Sequence, residues 1–302
     1  MRWEYKIENG EATIVRCYGT EQRVEVPEMV DGYLVTKLAD YVFSSSRREP
    51  DQETAICGGQ LLEIILPPSL KKIGKYAFYG CFKLEKMTLH HRGLDIGGGA
   101  FTGCHHVKEL CFHMDEAKGY CMKEILGELH HELKVQLFSE NREICTLLFP
   151  EYYEEAVENT PARNVDMAFH GAGYSYRQCF QDGILKFAEY DKLFLEHQYL
   201  ESEDFCIELA LLRLLQPYQL GEDAKGCYMS WLMEHRISAA KWCITFGKNR
   251  ELEFISQFID WKREELDDLI REANQREELE MQSFLMDYKH RYFQVKKKTF
   301  DL

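Results

Sequence analysis

The sequence lacks any excess of positive charge: 51 Asp and Glu residues outnumber 37 Lys and Arg, for a formal charge of −14. A broad nucleic-acid surface needs clustered Lys and Arg against the phosphates, so no nucleic-acid partner is expected. The one basic run, Lys296-Lys297-Lys298, lies at the C-terminus and reads as a solvated tail. No uncharged apolar stretch approaches the ~18 residues of a membrane span. The chain opens Met1-Arg2-Trp3-Glu4-Tyr5, without an apolar signal core, so the expected location is cytoplasmic, with no membrane partner. Its 11 cysteines include no Cys-x-x-Cys pair, and their odd number reads as reduced thiols rather than a disulfide framework. Neither a Gly-x-Ser-x-Gly elbow nor His-Glu-x-x-His occurs. The expectation is therefore a protein that is not an enzyme and uses no cofactor and no resident metal.

What is present is a repeat. Ala77-Phe78-Tyr79-Gly80-Cys81 returns as Ala100-Phe101-Thr102-Gly103-Cys104, an offset of 23 (101 − 78). The same offset links Ile73-Gly74 to Ile96-Gly97, and Leu61-x-x-Ile64-x-Leu66 to the copies starting at Leu84 and Val107. A degenerate copy has Leu38 five residues before Phe43, displaced by one period plus a polar insertion at Arg47 to Thr54. The last two apolar residues of each copy alternate, so they line one side of a short strand. A single rung cannot bury that edge, but stacked rungs turn Phe78 over Phe101, and Cys81 over Cys104, into core columns. Ahead of them, Trp3, Tyr5 and Ile7 alternate, Asn9-Gly10 signals a hairpin turn, and Ala12 and Ile14 alternate again. After them, Cys121 to Leu129 keeps helical spacing, and Leu133, Val135 and Leu137 alternate to close the stack near Phe138.

The phrases Leu66-Pro67-Pro68-Ser69-Leu70-Lys71-Lys72-Ile73-Gly74 and Ala77-Phe78-Tyr79-Gly80-Cys81 resemble the BspA-type leucine-rich repeat. That resemblance covers about the first 115 residues and implies a solenoid that binds proteins or surfaces, with no reaction common to the family. Many members are secreted, and the missing leader departs from that pattern.

The C-terminal half reads as helical. Ser202 to Leu215 is amphipathic, and Trp231–Arg236, Gln257–Lys262 and Phe284–Lys289 are similar hexamers 26 and 27 residues apart. Leu279 to Met286 is similar to the second helix of an ankyrin repeat, although the usual Thr-Pro-Leu-His phrase is absent. The expected architecture is α+β: a leucine-rich-repeat sheet over residues 1–138, then an all-α helical-hairpin region over 139–302, with degenerate ankyrin-like repeats at about 221–290. Two sets of site residues follow. Thr88 and His90 point outward from one strand, and Cys111 and His113 from the next. They form either a face for an unknown protein partner or, with a fourth donor from His91 or His106, a metal site. His170, Tyr174, Tyr176 and Arg177 mark the alternative, an enzyme or small-ligand site between the halves. Arg177 beside two tyrosines there either grips an anion or holds a loop.

Overall fold

A computed structural model of the chain describes residues 1–46, 54–90, 93–114, 121–159 and 164–293. The chain divides into two compact units, Met1–Leu200 and Glu201–Leu302. The first opens with hairpin strands β1 (Arg2–Glu8) and β2 (Glu11–Tyr18). Asn9 and Gly10 between them have φ of 53° and 77°, the left-handed pair that a two-residue type I′ turn needs. Short strands follow as β3 (Arg23–Glu25), β4 (Met29–Val30), β5 (Tyr33–Leu38), β6 (Glu63–Ile65), β7 (Lys72–Ile73), β8 (Lys86–His90), β9 (Asp95–Ile96) and β10 (Glu109–His113). Helix α1 (Met122–Glu128) leads to β11 (Leu133–Ser139) and β12 (Arg142–Phe149), then to a hairpin of β13 (Tyr153–Asn159) and β14 (Asn164–His170). The unit ends with α2 (Gly173–Arg177), β15 (Phe180–Gln181), β16 (Ile184–Leu185) and α3 (Phe187–His197).

These strands form a solenoid of about five turns. One sheet runs β12-β11-β10-β8-β6-β3, the other β1-β2-β5-β7-β9, with β4 beside β5. In the first, β3, β6, β8, β10 and β11 are parallel, and register aligns Val24, Ile64, Met87, Leu110 and Val135. All five are fully buried. In the second, Leu38, Ile73 and Ile96 lie side by side, which makes the degenerate first copy a true rung. Between the sheets Phe43, Phe78 and Phe101 stack with centroids 5.3 and 5.5 Å apart. Beside them the Cys81 and Cys104 thiols donate to the carbonyls of Phe43 and Phe78, at 3.3 and 3.2 Å. Glycine in each Ile-Gly step has a steric cause: a Cβ on Gly97 would sit 2.4 Å from the backbone nitrogen of Lys75.

Both ends of the stack are tied by a buried arginine. Arg16, 1% exposed, donates through Nη1 to the carbonyls of Tyr41, Val42 and Ser44 in the first rung. At the far end Arg177 does the same for the closing turns. Chain turns leave carbonyls without ladder partners, and a guanidinium offers five donors in one plane to satisfy them.

Two expectations are corrected. The sheet does not stop at Phe138, because β12 pairs antiparallel with β11 across that boundary. Its last five residues are all buried, apolar but for Thr146, so it lacks the alternation that marks a half-exposed strand. Residues 139–200 are also not all helical, since they include β12, the β13–β14 hairpin and β15–β16. The Arg47–Thr54 insertion lies outside the described residues except for Thr54, whose carbonyl accepts from the Gly19 amide at 3.0 Å.

The second unit contains α4 (Glu203–Leu215), α5 (Glu222–Glu234), α6 (Arg236–Thr245), α7 (Asn249–Ile255), α8 (Arg263–Gln275) and α9 (Leu279–Tyr292). Ser202 caps α4 by accepting from the Phe205 amide at 3.2 Å. Arg236 at the start of α6 grips Glu265 near the start of α8 at 2.6 and 3.2 Å. Asn249, which opens α7, bonds Glu280 at the start of α9 at 2.5 Å. These contacts bring the start of α6 to the start of α8, and the start of α7 to the start of α9. Lys289, late in α9, pairs with Asp267, early in α8, so those two run antiparallel. The result is a stack of helical hairpins.

The α6–α7 and α8–α9 hairpins are offset by 30 residues, not 26 or 27. Gly247 and Glu277 both take left-handed backbone, φ 63° and 62° (277 − 247). The next amides, Lys248 and Glu278, close on the carbonyls of Cys243 and Ala273 at 2.8 and 2.9 Å. The buried Ala239 and Ile255 correspond to Leu269 and Leu285. The three hexamers are not equivalent: the first spans the end of α5 and the start of α6, the second links α7 to α8, and the third lies inside α9. Aromatic and charged residues recur on any amphipathic helix, which is why such hexamers match without sharing a place.

Candidate partner-binding face

The outward side of the β12-to-β3 sheet presents three rows of side chains, one residue per strand. Register sets Arg23, Glu63, Lys86, Glu109 and Lys134 in line, alternating in sign. Arg23 meets Glu63 at 3.3 Å and Lys86 meets Glu109 at 2.9 Å. The second row is Thr88, Cys111 and Gln136, and the third is His90, His113 and Phe138. His90 and His113 stack at 4.9 Å with planes 20° apart, and His113 stacks on Phe138 at 5.3 Å. All three rings are half-buried. The result is a rigid ladder of rings flanked by a charge ladder, each position fixed by the strand register.

Cys111 is not on the open surface as expected. It is 4% exposed, and its thiol donates to Gln136 Oε1 at 3.1 Å. The side chain from the next strand covers it, and burial pushes the thiol's pKa up. Among the described residues no group of three or more His, Cys, Asp or Glu is placed to hold a metal ion. His90 and His113 turn faces to each other. His91 lies outside the described residues, and His106 is exposed in a turn.

The four residues of the alternative site all lie in the first unit and serve separate contacts. His170 stacks on Tyr153 at 4.5 Å and meets Glu155 at 3.0 Å. Tyr174 stacks on Phe169 at 3.7 Å. Tyr176 is buried, edge-on to Tyr190 at 4.9 Å. Arg177 is 2% exposed and donates to the carbonyls of Leu126, Leu129, His131, Pro150 and Gly173 at 2.6–3.1 Å. Burial pushes its pKa down to about 10, so it stays cationic at neutral pH. Tyr152 lies against it at 5.0 Å. The guanidinium is committed to backbone, so it holds the loop and does not grip an anion. Gly171-x-Gly173 is likewise a packing feature: a Cβ on Gly173 would lie 2.2 Å from the Pro150 carbonyl.

Gln136 and Phe138 extend two of the rows and were not anticipated. The last turn is longer by two residues, since Phe138 follows His113 by 25 positions rather than 23, and the fixed offset misses it. Comparison with known families matches residues 52–149 to "BspA type Leucine rich repeat region", in six copies. That match, over less than half of the chain, makes the segment similar to BspA-type leucine-rich repeats. Among solved structures, this chain is similar to a leucine rich repeat protein of T. pallidum, at 19% identity and a TM-score of 0.29, over 46% of this chain and 62% of that one. It is also similar to a leucine rich cell surface protein of Faecalibacterium prausnitzii A2-165, at 21% identity and a TM-score of 0.28, over 45% and 41%. The chain thus spans less than two thirds of either protein. No curated protein matches it. No helix among the described residues is long and apolar enough to cross a membrane.

Proposed function

We propose that the chain is a non-enzymatic interaction protein that holds a protein partner against the outward face of the β12-to-β3 solenoid sheet. The observation that carries this reading is the ladder His90–His113–Phe138 beside the Arg23-to-Lys134 charge row. Leucine-rich repeats generally serve as protein- or surface-binding modules, and a solenoid offers binding residues at a fixed spacing on adjacent strands. Rings supply contact area at low entropy cost, and alternating charges set the register of what docks. The helical hairpins of the second unit are read as ankyrin-like, because their offset of 30 approaches the ~33 of that repeat. A reducing, cytoplasmic setting agrees with eleven free thiols, all but Cys57 and Cys227 buried. The spent donors of Arg177 weigh against the enzyme or small-ligand alternative.

The test is a photo-crosslinking amino acid placed at His113, with Lys72 in the other sheet as control. In a native lysate the His113 position should give one discrete protein adduct and the Lys72 position none. Equal labelling from both would remove the sheet face as the binding surface.

A further inference from the structure

We propose that the β13–β14 hairpin is a strand-acceptor site: it takes up an extended segment of a partner protein, carrying two consecutive Lys or Arg residues flanked by apolar ones, along the free edge of β13. This does not depend on the sheet face proposed above.

Among the described residues, β13 and β14 pair only with each other. A two-stranded hairpin is marginal in water, and an open edge offers unpaired amides and carbonyls to any extended chain. Proteins normally blunt such edges with Lys, Pro or a bulge. Tyr153–Asn159 contains no Lys or Pro, and its register with β14 runs without a shift. The edge is flat, and the charges that guard it, Glu154 and Glu155, are carboxylates, which turn away an acidic strand but not a basic one.

Its base is held ready. Tyr153 stacks on His170 at 4.5 Å, and Glu155 meets His170 at 3.0 Å. Phe169 stacks on Tyr174 at 3.7 Å. Yet Tyr153 is 62% exposed and Met167 48%, so apolar surface remains open on a clamped strand.

Charge selects the occupant. Successive side chains alternate between faces, so Tyr153 and Glu155 share one face while Glu154 and Ala156 share the other. A strand added beside β13 meets a carboxylate on each face. Two consecutive basic residues, pointing to opposite faces, answer both, and an apolar neighbour covers Tyr153. From Glu151 to His170 the sequence has Glu151, Glu154, Glu155, Glu158 and Asp166 against Arg163 alone. A second copy of the chain would set acid against acid along this edge, which disfavours self-pairing. Main-chain bonds give affinity and the alternate side chains give selectivity, as in other strand-addition sites.

The probe is a synthetic eight-residue peptide with an Arg-Lys pair flanked by Val, Tyr and Thr, titrated into the full chain by fluorescence anisotropy. It should bind, slow hydrogen exchange at alternate amides of β13, and lose about tenfold in affinity when its backbone amides on the pairing side are N-methylated. Replacing its basic pair with Glu-Glu should weaken binding by at least as much, and Glu154→Gln with Glu155→Gln should weaken the parent peptide ~tenfold. Equal affinity of the N-methylated peptide would reduce the interaction to bare charge attraction and overturn the proposal. So would concentration-dependent self-association that protects the same amides, or no binding by any peptide. The peptide variants leave the protein untouched, so these outcomes hold even if the double substitution loosens the hairpin.

Discussion

Replacing Arg177 should loosen the closing end of the solenoid more than any other single polar change in the first unit. Its guanidinium donates to five carbonyls, from Leu126, Leu129, His131, Pro150 and Gly173. Arg177→Met keeps much of the packing volume against Tyr152 but removes every donor. A buried carbonyl left unpaired costs about 1–3 kcal/mol. Leu126 O keeps a second partner in the Leu129 amide at 3.4 Å, and the carbonyls share one network, so the sum is not simply additive. A loss of about 3–5 kcal/mol is expected, as two or three of these buried carbonyls go without a donor. Arg177→Lys should recover less than half of it, because an ammonium has three donors and no planar fork. Urea denaturation followed by tryptophan fluorescence and far-UV dichroism measures both. A loss below ~1 kcal/mol for Arg177→Met would refute the claim that this side chain ties the closing turns.

Gly97→Ala should cost about 1–3 kcal/mol by denaturant titration, because the new methyl meets the Lys75 backbone at 2.4 Å. Cys104→Ser should cost no more than ~1 kcal/mol, since the hydroxyl inherits the Phe78 carbonyl. Burial pushes the Cys104 thiol up to about 12, so a maleimide should label Cys57 well before Cys104 in native protein. His131 is held below the ordinary histidine range by burial, with Arg177, His105 and His106 adding to the effect. Its neutral form is favoured in the fold, so its contribution to stability is present above about pH 6.5 and falls away as pH drops below that. His131→Gln should flatten the stability profile between pH 7 and 5, and an unchanged slope would contradict the assignment.

Much of this fold is legible in the sequence because a solenoid repeats one local solution. The Phe43, Phe78 and Phe101 column and the His90–His113 pairing both follow from offsets alone, since neighbouring strands at ~4.8 Å convert sequence period into spatial adjacency. What escapes has identifiable causes. The strand Arg142–Phe149 carries no alternation because its last five residues are all buried. Cys111 faces outward in register but lies beneath Gln136, a side chain from a turn two residues longer than the two before it. In sequence Arg177 beside two tyrosines leaves anion grip and loop support both open and Arg16 carries no signal, and only the convergence of turn carbonyls explains their burial. In the second unit the repeat is carried by cap geometry at Gly247 and Glu277, where the residues share a backbone conformation and no chemistry.

The most direct test of the central claim is the affinity of the lysate partner for a chain carrying Lys86→Glu, His113→Ala and Phe138→Ala together, beside its melting temperature. These side chains are half-buried, and the ring stack contributes only about 0.5–1.5 kcal/mol per pair, so the variant should stay folded and melt within several degrees of the unaltered chain. Its affinity should fall at least ~tenfold, a change of about 1.4 kcal/mol. Unchanged affinity in the folded variant would contradict the account and place the partner elsewhere on the molecule.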